Sequence, residues 1–199
     1  AGERVWTVTS QDVAIIGELF LTGKFNATRT VALAGSEVKD AQYYNVISGA
    51  AIADLVAGKI EGDNVRVISG DVLTGTKVKM DGNLGFLSNT VTVIPEGNVY
   101  RMFGWMPFAS PSVHSASRTG LSWLMPGKKY APNTNLNGEE RALVVTGEME
   151  AVMPLDIFPM QLLKACLASD IDKMESLGIY EVAPEDFALI DYTNTSKLE

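Results

Sequence analysis

The sequence holds one imidazole, His114, and one thiol, Cys166, so the chemistry open to it is quickly enumerated. His114 stands among Ser112, Ser115 and Ser117, which brings a serine nucleophile with an imidazole base into consideration. That reaction also needs a third group to orient the ring and donors for an oxyanion, and these residues specify neither. A surface-loop histidine is the expectation. One His and one Cys, each poor in neighbouring ligands, supply no set for zinc or an iron–sulfur cluster, and no metal is predicted. Carboxylates at Glu139, Glu140, Glu148, Glu150 and Asp156 could form an acid–base pair, but no apolar pocket is indicated around them to raise a pKa. They read as a solvated acidic rim. The turns Ser69-Gly70-Asp71 and Thr74-Gly75-Thr76 offer backbone N–H groups, yet neither opens a helix after a strand in a phosphate-binding pattern. No catalytic residue is assigned, and the cofactor-binding residues stay unknown.

The elements that would position these groups come from periodicity. Ser10 is a good N-cap for a helix on which Val13, Ile16 and Phe20 recur at helical spacing, and Gly23 supplies the stop. There follow a strand at Thr30 to Ala34, a strand at Gln42 to Ile47, a helix from Gly49 to Ala57 and a strand at Asn64 to Ser69 closed by Gly70. Leu84 to Trp105 reads as a β-hairpin turning at Glu96-Gly97-Asn98, because both arms are rich in β-branched or aromatic residues. Met106 to Gly138 is a long loop, and Ala142 to Val145 one more strand. Three helices close the chain: Pro154 to Ala168, one opened by Ser169 with Asp172 at the capping-box position and ended by Gly178, and one started by Pro184, Glu185 and Asp186. The fold class is α+β, sheet first and helices last.

The 199 residues are 46% apolar and 20% charged, the composition of a globular chain with a core. A net charge of −8 without a basic stripe argues against a nucleic-acid partner. The longest apolar stretches, Ala50 to Ala57 and Met160 to Ala168, fall short of the ~20 residues that cross a bilayer. A lone cysteine allows no internal disulfide and fits a reducing compartment. The chain opens at Ala1 without an initiator Met or signal-peptide pattern and closes on Leu198-Glu199, ends expected of a trimmed chain with flanking sequence missing.

Taken in order, Gly17 to Gly35 (GELFLTGKFNATRTVALAG), Arg66 to Gly75 (RVISGDVLTG), Val91 to Gly97 (VTVIPEG), Phe103 to Trp105 (FGW), Glu140 to Pro159 (ERALVVTGEMEAVMPLDIFP) and Leu177 to Leu189 (LGIYEVAPEDFAL) resemble the A subunit, the alpha chain, of the bacterial sodium-translocating NADH:quinone oxidoreductases, over its C-terminal part. The block ending in Val152-Met153-Pro154-Leu155-Asp156-Ile157 is the most specific. Arg29 to Gly75 looks like the β-grasp, soluble-ligand-binding module that the family shares with the flavin subunit of respiratory complex I and the C subunit of the Rnf complex.

The resemblance implies four regions: a helical lead-in over residues 1–27 ending a missing N-terminal domain, a β-grasp module over 28–80, a β-hairpin layer with the long loop over 81–147, and a helical segment over 148–199. It also implies a peripheral subunit on the cytoplasmic face of the inner membrane, packed on the integral membrane B subunit with the other pump subunits. Quinone binding is linked to the full complex, while NADH, flavins and iron–sulfur centres belong to other subunits; no cofactor is expected on this chain. Many relatives carry two cysteines in an A-L-C-x-x-V-C pattern where this sequence has Ile190 and Asn194, so no cluster can be ligated there. The runner-up is a stand-alone β-grasp module for a small soluble ligand, as in polysaccharide-export and cobalamin-linked proteins.

The long loop groups Phe108, Trp123, Leu124, Met125 and Tyr130 with the cations Arg118, Lys128, Lys129 and the nearby Arg141. Apolar side chains collected on a loop mark a contact site, and aromatic residues and Met are enriched at interface centres. Phe108, Arg118, Trp123 and Met125, with Met153 and Asp156 of the specific block, form the candidate partner interface. In the alternative, Trp123 and Leu124 fold back as core.

Overall fold

The computed structural model describes residues 4–104, 113–116 and 118–198. The chain divides into two compact units, Ala1–Val93 and Ile94–Glu199.

In the first unit a helix, α1 (Ser10–Thr22), precedes five strands: β1 (Thr28–Ala34), β2 (Gln42–Ile47), β3 (Val65–Ser69), β4 (Thr76–Val78) and β5 (Thr90–Pro95), with α2 (Ile52–Val56) between β2 and β3. The sheet order is β2-β1-β5-β3-β4. β1 pairs antiparallel with β2 and parallel with β5, and β3 antiparallel with β4. This mixed sheet packed on one short helix is the α+β arrangement expected of a β-grasp module.

Its core follows from alternation along β1, where Val31 and Leu33 are buried and Thr28 and Thr30 exposed. β5 is buried on both faces from Val91 to Ile94, as befits a strand with neighbours on each side. These side chains meet Ile52, Leu55 and Val56 of α2, together with Val67 and Leu84, in one apolar cluster. The expected boundary at residue 80 therefore lies inside the sheet unit, which needs Leu84 and β5 to close its core.

Gly35 turns the chain out of β1 with φ 128°, and a Cβ there would collide with the backbone of Val93. Only glycine lets β1 and β5 approach this closely.

α1 is anchored by polar groups. Its N-cap is Thr9, one residue before the expected Ser10, and Gly23 ends it in the left-handed region (φ 70°), donating its N–H to the Leu19 carbonyl. The Gln11 amide behaves like a strand residue: Nε2 donates to the Thr30 carbonyl at 2.9 Å and Oε1 accepts the Thr30 N–H at 2.8 Å. These bonds complete the β1 ladder just before β5 joins it at Ala32. Arg29, only 3% exposed, donates to Asn89 Oδ1 at 3.0 Å, pairs with the Asp12 carboxylate and lies over the Phe86 ring. The apolar residues Val13, Ile16 and Phe20 of α1 remain exposed.

The second unit has a 3₁₀ turn at Leu121–Leu124, then α3 (Pro159–Leu167), α4 (Ile171–Ser176), 3₁₀ turns at Ile179–Glu181 and Pro184–Phe187, and α5 (Ala188–Thr193). Its core is a small cluster of Met149, Met160 and Ile190, ringed by half-buried Leu143, Val152, Met153, Leu163 and Phe187.

Several expectations are corrected here. The second hairpin arm is not a strand over its described residues, because other acceptors capture its amides. Gly97 N–H donates to Thr134 Oγ1 at 2.6 Å and Val99 N–H to Asn135 Oδ1 at 2.9 Å. Gly97 and Gly104 allow the backbone of residues 134–138 to lie against this arm, where a Cβ would clash. Ala142 to Val145 belongs to no ladder among the described residues. α3 begins at Pro159 rather than Pro154, since a proline inside a helix cannot donate and clashes with the preceding turn. The next helix is capped by Asp170, which accepts the Lys173 N–H, while Ser169 sits at φ 55° and ends α3.

Candidate binding cleft in the second unit

A cleft of about 630 Å³ opens in the second unit between the Arg141 to Thr146 segment, Met160 of α3 and the turn after α5. Its lining also includes Thr119, Glu148, Asn194, Thr195 and Ser196. An Asx-type turn builds one wall. Asn194, 7% exposed, accepts the Ser196 N–H and hydroxyl on Oδ1 at 3.0 and 2.8 Å and donates Nδ2 to the Leu198 carbonyl. This fold-back presents the Ser196 carbonyl to the Arg141 N–H at 2.6 Å and so fixes where that segment begins. Thr195 Oγ1 donates to Glu148 Oε2 at 2.6 Å and joins the turn to the chain beyond the segment.

Along the segment, Leu143 packs against the Met149, Met160 and Ile190 cluster, while Ala142 and Val144 line the cleft. That alternation is the period of a strand. The lining is apolar over Ala142, Val144 and Met160, with hydroxyl groups and one residue of each charge at its margins. Next to it, burial pushes the Lys197 ammonium pKa down, while the charges of Asp191 and Glu148 hold it up. Such a site suits shape-selective binding; nothing in it activates a nucleophile.

The chain matches known proteins along its length. Residues 30–80 match the family described as the NQRA C-terminal domain. Over 200 residues and the whole of this chain it is 38% identical to the A subunit of the Na(+)-translocating NADH-quinone reductase of Neisseria meningitidis serogroup B, covering 44% of that protein. It is 41% identical over 196 residues to the same-named protein of Serratia proteamaculans and 39% over 202 residues to that of Hahella chejuensis. The chain is a homologue of this A subunit. It spans a little under half the length of these relatives.

The two positions at which this sequence departs from the A-L-C-x-x-V-C pattern are both structural. Ile190 is 2% exposed in the methionine-rich core, and Asn194 holds the cleft turn. His114 is exposed and makes ring contacts with Tyr130 and Tyr192, at centroid distances of 5.4 and 6.2 Å. Ser115 instead shapes its own loop, its N–H donating to Ser122 Oγ and its Oγ accepting the Gly120 N–H. Ser112 and Ser117 lie outside the described residues.

The candidate interface residues are only partly gathered. Phe108 lies outside the described residues. Trp123 and Met125 share the 3₁₀ turn and its exit and are 53% and 38% exposed. Arg118, also exposed, sits at φ 62°. Asp156 is exposed, and Met153 is half-buried against its own unit's core. Sequence reasoning missed Asn194 and Ser196; the Asn-x-Ser spacing that makes an Asx turn was the available signal.

Proposed function

We propose that this chain acts as part of a peripheral subunit of a sodium-pumping NADH:quinone oxidoreductase on the cytoplasmic face of the bacterial inner membrane. There it supports quinone reduction and assembly, packed against the integral membrane B subunit, without holding a redox centre. The observation that carries this reading is the 38–41% identity to the A subunit over essentially the whole chain. Two structural facts support it. No helix among the described residues is long and apolar enough to cross a membrane. The core position Ile190 and the turn-forming Asn194 carry no thiolate, the ligand that an iron–sulfur cluster requires. NADH, the flavins and the iron–sulfur centres then belong to partner subunits, and quinone is met, if at this chain, in the assembled pump.

The test is purification of the tagged full-length subunit from native membranes. The integral membrane subunits of the pump should come with it, and the subunit stripped from them should be colourless. Stoichiometric flavin or iron in the stripped subunit overturns the redox-silent role. Recovery without any pump subunit overturns the reading and favours a stand-alone β-grasp binding module.

A further inference from the structure

From Ala142 to Val145 the chain has the residue types and the side-chain alternation of a strand but has no strand beside it among the described residues. The sequence is Ala-Leu-Val-Val, and the side chains alternate between the core at Leu143 and the cleft at Ala142 and Val144. Val144 and Val145 are 62% and 57% exposed. None of these four residues has a backbone hydrogen bond among the described residues, whereas Arg141 immediately before them donates its N–H to the Ser196 carbonyl. A run of adjacent unpaired N–H and C=O groups on a β-prone apolar segment is the surface that an added strand completes. Isolated ligands would satisfy one or two such groups; a polypeptide in extended conformation satisfies them in series, at the spacing of a ladder.

We infer that Ala142 to Val145 receives a β-strand from the remainder of its own full-length polypeptide, one of whose apolar side chains enters the cleft over Ala142, Val144 and Met160. This rests on the homology to the A subunit. The relatives are more than twice as long as this chain, so a tethered strand is available within one molecule. Tethering converts its docking into an intramolecular event at high effective concentration. The cleft favours an apolar residue at alternate positions of the incoming strand, because its lining is mainly aliphatic and thioether between Ala142 and Met160.

Hydrogen–deuterium exchange tests this on the 199-residue chain and on the full-length subunit, each purified alone. The amides of Leu143 to Val145 should exchange at least ~100-fold more slowly in the full-length subunit. Equal, fast exchange in both overturns the inference, and so does protection that arises only when the other pump subunits are present, since the strand would then come from another chain. Val144→Pro removes one ladder donor as a second reading. It should lower the full-length protein's melting temperature by several degrees and leave that of the shorter chain within about 1 °C. An equal fall in both means that the segment serves only its own unit and overturns the inference. Failure of the pump assignment itself is read separately, by which proteins co-purify from membranes.

Discussion

In the first unit the backbone hydrogen bonds of β1, β2, β3, β4 and β5 go to one another, and a side-chain amide, Gln11, fills the position where β1 lacks a neighbour. In the second unit much of the extended chain is held by side chains: Thr134 and Asn135 take the amides of Gly97 and Val99, Ser122 takes that of Ser115, and Asn194 folds the last turn. The cores differ in the same way. The first gathers Val31, Leu33, Ile52, Val67, Leu84, Val91 and Val93 from nearly every element, whereas the second is centred on two flexible methionines and Ile190. A branched-aliphatic core with a closed ladder specifies its own geometry; a methionine-rich core adapts to whatever packs on it. The first unit thus closes its own ladder and core, while the second leaves the strand-prone residues Ala142 to Val145 beside an open cleft.

A methyl group placed at matched glycines separates the two units most strongly. Gly35 and Gly147 both have positive φ, 128° and 81°, but only Gly35 faces an immovable neighbour, the backbone of Val93. Gly35→Ala should cost ~3 kcal/mol or more, combining the backbone strain with the collision. Gly147→Ala, with open space around it, should cost about 1 kcal/mol. Chemical denaturation of both variants measures this, and equal costs would mean that the sheet is no better determined than the loops.

A smaller effect sharpens the electrostatics of the sheet unit. Asp71 accepts the Thr74 N–H at 2.8 Å, the Leu73 N–H at 2.8 Å and the Thr74 hydroxyl at 3.0 Å. The Thr74 amide is the main cause that holds its carboxyl below the usual 3.8; partial burial pulls the other way, and the Leu73 amide adds to the lowering. The folded pKa is depressed, so the stabilisation is present above pH 3.8 and is lost as pH falls through the lower folded value. Asp71 is exposed, so solvent screening keeps the contribution below ~1 kcal/mol. Asp71→Asn should lose that amount near neutral pH and nothing in strong acid, below the folded value. Denaturation midpoints of the two proteins that stay equally far apart under both conditions would show that the carboxylate charge is irrelevant to this turn.

The sheet was legible because its signals are local and agree. Period-two burial in TVALA and QYYNVI, the helix between QYYNVI and NVRVIS, and the glycine stops each point to the element that forms. β5 was legible as a strand but its partner was not: alternation in NTVTVIP cannot say whether the neighbour is the next segment or β1, which lies about 60 residues earlier in the ladder register. The second hairpin arm and the ALVV segment failed for one physical reason. Both have strand-forming residues, but a strand exists only where another supplies hydrogen bonds, and here Thr134 and Asn135 intercept one while the other lies beside an open cleft. Of the candidate interface, Trp123 and Met125 were readable as apolar residues in a polar loop, whereas the inward turn of Met153 depends on tertiary packing that its flanking Pro154 does not encode.

The exposed turn at Leu121–Leu124 is where a completed second unit should differ least in stability and most in assembly. Trp123 and Leu124 are each more than half exposed and Met125 more than a third, so none is needed to fill the Met149, Met160 and Ile190 core. Large apolar side chains left in water on one turn gain free energy when a partner covers them, and Trp and Met are favoured at interface centres. Arg118 and Lys128 lie on the same loop and would favour an acidic partner patch or an anionic lipid surface. Trp123→Ser together with Met125→Ser should therefore leave the full-length protein's melting temperature within about 1 °C, because little buried area is lost. The same double variant should recover at least ~10-fold less of the other pump subunits from membranes, the loss expected when an interface anchor is removed. Normal recovery with a melting temperature several degrees lower would assign the turn to the unit's own packing and leave Ala142 to Val145 as the surface through which the second unit is completed.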